Sequence, residues 1–283
     1  SPVILAAGKT TVVTVPAFTV PANTLQVIFT ADSGALHHEA TLAVTPSGPV
    51  LSANGIANAA SFLGGAVAPG EIVTIYGTGL GGTLTTLVLD DAGRVATKLA
   101  GTSLTFNSKP APLLYVSEGQ LSAIVPYGLT GTAQLQVTYN GSVSNAVTVA
   151  ITDAAPALFT VNASGSGQAA VLNQDGSVNS AANPAAKGSV VVLYGTGEGS
   201  TDPGGVDGQL AASVYPKPVL PVSVSVDGQP AQVLYAGAAP GQVAGLLQVN
   251  VSVPDGAQSG SVPVVITVGA KSSPLTGVSI SVR

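Results

Sequence analysis

The chain of 283 residues is 46% hydrophobic but only 7% charged, where about 25% is usual for a soluble domain. Eight basic residues against thirteen acidic ones leave a net charge of −5, which excludes the basic footprint needed by a nucleic-acid or anionic-membrane binder. Cys, Met and Trp are absent, which excludes disulfides, thiol catalysis and thiolate metal sites, and a chain free of oxidisable sulfur suits an oxidising exterior.

The length fits two β-sandwiches and an additional piece. No apolar run approaches the ~18 residues of a membrane-spanning helix, and the longest, around Val190–Tyr194, reads as a buried strand. Ser1-Pro2-Val3 lacks the charged start of a signal peptide, so any export leader is expected to be already removed. Both ends are expected to dock rather than fray.

Residues 1–52 are predicted to form a partial Ig-like β module. Leu25, Val27 and Phe29 alternate with Gln26, Ile28 and Thr30. After a turn at Ala31-Asp32-Ser33-Gly34, Ala40, Leu42 and Val44 alternate with Glu39, Thr41 and Thr45. Val3–Leu5 and Thr11–Val15 add two further strands. Four strands fall short of the ~7 in a complete immunoglobulin sandwich, so an apolar face and an edge must be covered by something else. Ala40-Thr41-Leu42-Ala43-Val44-Thr45-Pro46 resembles the closing strands of bacterial Ig-like repeats. The predicted subunit-interface residues are Val12, Val13, Val15, Leu25, Val27, Phe29, Leu42 and Val44.

Two Ig-like sandwiches are predicted to follow in tandem, at residues 53–155 and 156–283. Glu71-Ile72-Val73-Thr74-Ile75-Tyr76-Gly77-Thr78-Gly79-Leu80-Gly81 returns as Ser189-Val190-Val191-Val192-Leu193-Tyr194-Gly195-Thr196-Gly197-Glu198-Gly199. In the same order, Leu104–Phe106 returns at Val224–Val226, Pro110–Tyr115 at Pro230–Tyr235, and Ile124-Val125-Pro126 at Ser252-Val253-Pro254. Asn140-Gly141 between alternating segments signals a tight hairpin. Ile56–Phe62 allows a single helical turn, and no longer stretch has helical periodicity.

Three features occur together: Asn58-Ala59-Ala60-Ser61, the Tyr-Gly-Thr-Gly strand ends, and Leu172–Ser180 with Asn183-Pro184-Ala185. As a set they resemble the Solibacter-type C-terminal β domain of large secreted bacterial proteins, over about Asn54 to Arg283. The Tyr-Gly-Thr-Gly stretches are also similar to the IPT/TIG branch of Ig-like folds. These resemblances imply a secreted Ig-like tandem and no reaction.

Each candidate chemistry meets a plainer structural reading. The two glycine runs lack the Lys and the following helix of a phosphate loop and read as turns. His37 and His38 are strand neighbours and cannot chelate one metal, and neither sandwich contains a histidine for a Ser-His-Asp triad. Asn173, Asp175, Ser177 and Asn179 loosely resemble a calcium loop but lack its carboxylates, and Asp175-Gly176 reads as a hairpin turn. Glu198, Asp202 and Asp207 form a looser acidic cluster. Tyr76 and Tyr194 are expected to close the core with a hydrogen-bonded hydroxyl. No cofactor, metal or catalytic residue is predicted. The expectation is a non-catalytic subunit of an extracellular or cell-surface filament that assembles with copies of itself through β-strand addition by residues 1–46. The alternative is an adhesin or carbohydrate-binding module of a larger secreted protein.

Overall fold

The structure, a computed structural model, describes residues 26–33, 36–43, 48–275 and 277–283. Every regular element among them is a β-strand, as the alternation predicts. The chain divides into one unit at residues 1–47 and a second at residues 48–283. In the first unit, Gln26–Ser33 and Leu36–Ala43 form an antiparallel hairpin that sets Val27 opposite Leu42 and Phe29 opposite Ala40. Ala31, Asp32 and Ser33 belong to the strand rather than to the expected turn, because each pairs across the ladder, with His38, His37 and Leu36. Of the expected interface residues, Val12, Val13, Val15, Leu25 and Val44 lie outside the described residues, as do the side chains of Val27, Phe29 and Leu42.

The second unit holds both sandwiches. One sheet of the first runs in the order Val50–Asn58, Ile72–Thr78, Gln120–Ile124, Leu113–Val116, Thr85–Thr86. The facing sheet is built on Thr132–Tyr139, flanked by Thr102–Phe106 on one side and Ser142–Val143 and Val147–Ala150 on the other. Val50 and Leu51 already pair with Thr78 and Gly77, so this sandwich starts ahead of the boundary expected at residue 53. The period-two pattern fills the space between the sheets. Thr102, Leu104 and Phe106 turn inward from one strand, and Ala133, Leu135 and Val137 from its neighbour.

The second sandwich repeats this wiring. Val190–Thr196 pairs with Leu247–Ser252, which pairs with Val233–Ala238, as Ile72–Thr78 pairs with Gln120–Ile124 and then Leu113–Val116. Val222–Val226 pairs with Gly260–Val268 as Thr102–Phe106 pairs with Thr132–Tyr139. Even the irregularities recur. The hairpins Phe106–Lys109 and Val226–Gln229 both turn on two residues of positive φ, Asn107-Ser108 and Asp227-Gly228. The sheet register slips at Leu114 in one copy and at Leu234 in the other.

The twin glycine runs do more than turn. At Gly77 an added Cβ would overlap the Val50 carbonyl, and at Gly195, Gly197 and Gly199 it would overlap the carbonyls of Ala157, Ala155 and Asp153. Each run is a track along which the incoming backbone of its sandwich lies. The second track clamps the segment joining the two sandwiches, with the Ala155 amide donating to the Gly197 carbonyl at 2.8 Å. Tyr76 and Tyr194 depart from expectation. Their neighbours Ile75 and Leu193 take the core positions, so alternation turns both tyrosines to the outer face, where they are half-buried.

Candidate ligand groove and domain junction

The register slip at Leu114 shapes the outer face of the first sandwich. Leu113 and Val116 are both in the core although two residues separate them, so Leu114 and Tyr115 are both sent outward. The Gln120 side-chain amide donates to the Tyr115 hydroxyl at 2.8 Å. Burial raises the phenol above its ordinary pKa, outweighing that contact, which acts in the opposite direction, and the hydroxyl stays neutral. In the second sandwich the matching Tyr235 instead donates back to the Ala238 carbonyl of its own strand at 2.7 Å.

Two loops bring further rings to Tyr115. Asn58 accepts the amides of Ala60 and Ser61 at 2.9 and 3.2 Å and donates to the Ala155 carbonyl at 2.9 Å. The Asn58-Ala59-Ala60-Ser61 signature is thus a side-chain-capped turn tied to the linker, and the Phe62 amide closes it on the Asn58 carbonyl at 2.8 Å. Phe62 leaves that turn with φ of 57°, a left-handed conformation that costs a bulky residue about 1–2 kcal/mol. From the second sandwich, Phe159 follows the buried pair Ala157-Leu158, and the loop after it is held by Thr160 Oγ1, which accepts the Ser164 and Gly165 amides. Gly165 packs so closely on the Ser61 carbonyl that a side chain there would collide with it.

The result is a groove of about 720 Å³. Phe62, Tyr115 and Phe159 form its aromatic lining, and Thr74, Gln120 and Ser122 its polar floor. Leu84, 64% exposed, stands on its rim. None of the described lining residues is Asp, Glu, Lys, Arg or His. The groove therefore offers ring faces beside neutral donors and acceptors, without an acid–base pair for general catalysis.

Behind the groove the sandwiches are bolted together. The Ile72 amide donates to Thr196 Oγ1 at 2.8 Å, and that hydroxyl donates to the Gly245 carbonyl at 2.8 Å. An added Cβ on Gly245 would overlap the Gly70 carbonyl, and one on Gly205 the Tyr127 ring. Asp207 accepts the Tyr127 amide at 2.8 Å and pairs with Lys109 at 3.0 Å. Within this seam lie two buried carboxyls, Glu71 at 1% exposure and Glu198 at 3%. Burial pushes each up to about 8, and Glu71 raises Glu198 further by like-charge repulsion. Glu71 Oε2 accepts the Ala68 amide at 2.7 Å, whereas Glu198 Oε2 is buried without a partner. Tyr127, beside Glu198 and Asp207, is held far above its ordinary range by burial and those charges.

The other candidates resolve differently. Glu198, Asp202 and Asp207 do not form a cluster: Glu198 is buried in the seam, Asp207 is bound to Lys109, and Asp202 is exposed. In the Asn173 loop the oxygens are committed internally. Asn179 Nδ2 donates to Asn173 Oδ1 at 2.9 Å, the Ser281 amide donates to Asn179 Oδ1 at 2.8 Å, and Asp175 accepts the Ser177 amide at 2.9 Å. The Ser177 hydroxyl, and after it the Ser177 amide, hold the Asp175 carboxyl below its usual range, and the Asp-Gly turn closes with Gly176 at φ 81°. Sequence reasoning missed the groove and the carboxyl pair. The one available signal was that Glu198 breaks the repeat at the position of Leu80.

Residues 63–151 match the IPT/TIG domain family, so the first sandwich contains an IPT/TIG domain. No curated protein matches the chain. Among solved structures, it is similar to SGBP-B from a complex xyloglucan utilization locus in Bacteroides uniformis (14% identity, 81% of this chain and 48% of that one, TM-score 0.26). It is also similar to SGBP-B of a Bacteroides ovatus mixed-linkage glucan utilization locus in complex with a heptasaccharide (15% identity, 93% and 54%, TM-score 0.31). Domains 5–6 of the S-layer protein SbsC match at 14% identity over 83% of this chain and 98% of that one, with a TM-score of 0.26. The chain spans about half the length of the two glucan-locus proteins, and the likeness concerns the fold.

Proposed function

We propose that the chain is a non-catalytic module of a secreted or cell-surface protein that holds a neutral polysaccharide strand in the groove between its two sandwiches. The observation that carries this reading is the lining. Three of the few aromatic rings in the chain converge with uncharged amide and hydroxyl groups, and sugar rings present apolar C–H faces beside hydroxyls. A span of 720 Å³ is within the range of small-ligand sites, roughly 300–1,000 Å³. Kinship with the Solibacter-type C-terminal β domain belongs to the same proposal, on the strength of the Asn58 turn and the paired Tyr-Gly-Thr-Gly strands. The test is a glycan array followed by titration calorimetry on the full chain. Neutral oligosaccharides are expected to bind, and Tyr115→Ala and Phe159→Ala to weaken binding at least tenfold. Equal binding by both variants contradicts the reading.

A second reading rests on the hairpin Gln26–Ala43 within the unit at residues 1–47. Pairing of this unit with a second copy through β-strand addition would extend into a filament. Deleting residues 1–46 tests this. Filaments that persist in electron micrographs after the deletion refute strand addition.

A further inference from the structure

We propose that Glu198 and Glu71 form a proton-held latch between the two sandwiches, closed while the pair carries protons and opened when they are lost. The latch is independent of the ligand reading, and its test contains no saccharide.

Position is the first ground. Glu71 directly precedes Ile72, whose amide reaches across to Thr196 Oγ1, and Glu198 follows Thr196 by two residues. Glu198 also lies between Gly197 and Gly199, the two glycines against which the linker carbonyls of Ala155 and Asp153 are pressed. A charge at either carboxyl therefore acts on the hydrogen bond and the backbone track that join the domains.

The repeat supplies the second ground. The position of Glu198 is held in the first sandwich by Leu80, which is fully buried. The fold accepts an apolar side chain at this position, so packing does not call for a carboxyl. The second copy nevertheless carries one, only in the sandwich where this loop faces the other domain.

The third ground is that compensation falls short: the Glu198 backbone amide favours the ionised form, but burial outweighs it. Glu198 Oε2 is buried with no hydrogen-bond partner, and an ionised oxygen in that state is strongly disfavoured. The charged and titratable neighbours do not offset it. Lys109 is bound to Asp207 at 3.0 Å and to the Tyr127 carbonyl at 2.6 Å, and Tyr127 stays a neutral phenol. Lys271, at the mouth of the cleft above Glu71, is exposed to solvent, as is Asp153 on the linker. The remaining charge beside Glu198 is Glu71, which repels it. Protonation removes both the orphaned charge and the repulsion.

Amide exchange on the full chain tests the latch, with protection corrected for the intrinsic rate at each pH. The Ile72 and Ala155 amides report on the seam, and amides within Thr132–Tyr139 and Gly260–Val268 serve as internal controls. Protection at Ile72 and Ala155 is expected to fall at least tenfold between pH 6 and pH 8 relative to the controls. In Glu198→Gln, and in Glu198→Leu, which restores the residue of the first copy, most of that fall disappears; Glu71→Gln gives the same result should either of those variants fail to fold. Equal pH slopes in wild type and every folded variant overturn the latch. Recovery of wild-type protection at pH 9 on adding millimolar Ca²⁺ also overturns it, in favour of a cation site.

Discussion

Replacing Gly197 or Gly199 with alanine places a methyl group inside the linker backbone, at φ values of 86° and 77° that already disfavour a side chain. Each is expected to destabilise the chain by more than about 3 kcal/mol in urea unfolding. Gly176→Ala, at a similar φ but in open space, costs only about 1 kcal/mol. Phe62 gives the opposite contrast. Phe62→Gly relieves a left-handed φ, so stability stays within about 1 kcal/mol of wild type while saccharide affinity is lost. For the buried carboxyls the sign is fixed by their raised pKa values of about 8. Between the ordinary carboxyl range near 4.5 and about 8, the native chain holds protons that the unfolded chain has released. Their stabilising contribution is complete below that window, declines as pH rises through it, and is flat above it. Thermal melts from pH 5 to pH 9 are expected to show this decline, and Glu198→Gln to raise the melting temperature at pH 9 by at least about 2–4 °C, the shift expected for each kcal/mol of repulsion removed.

At the level of elements, the strands were legible because their periodicity is simple. Thr102–Phe106 and Thr132–Tyr139 alternate cleanly, and the duplication shows which runs must be equivalent. The Asn140-Gly141 hairpin was legible too, since both residues adopt the positive φ that the dipeptide favours, 47° and 86°. What alternation could not give was the slip at Leu114, which moves Tyr115 from a nominal core position to the outer face. Nor could local sequence indicate that Phe62 and Phe159, from two loops, are drawn together, with Asn58 tied to Ala155 across nearly a hundred residues. The Asn58 turn is the element on which the groove depends. Asn58→Ala removes two caps and the tie to Ala155, with an expected loss of about 1–2 kcal/mol and weaker saccharide binding.

On the scale of the whole molecule, the low charge content acquires a local meaning. The seam between the sandwiches is closed by backbone approach at Gly70–Gly245 and Gly205–Tyr127 and by a hydroxyl bridge at Thr196, with one ion pair, Lys109–Asp207, at its edge among the described residues. Lys109→Ala removes that half-buried pair and the bond to the Tyr127 carbonyl, with an expected cost of about 1–2 kcal/mol. The two sandwiches should unfold in one cooperative calorimetric transition at pH 5. Glycine was visible in the sequence, but the paths it admits were not, because a glycine that turns and a glycine that lets another backbone approach look alike until the partner segment is placed. The central proposal is that the pair of sandwiches holds a neutral saccharide between them. The most direct measurement is heteronuclear NMR of the full chain titrated with neutral oligosaccharides. Shifts concentrated at Phe62, Tyr115, Gln120 and Phe159 are predicted, and saturable shifts confined to other surfaces, or none at millimolar ligand, contradict the claim.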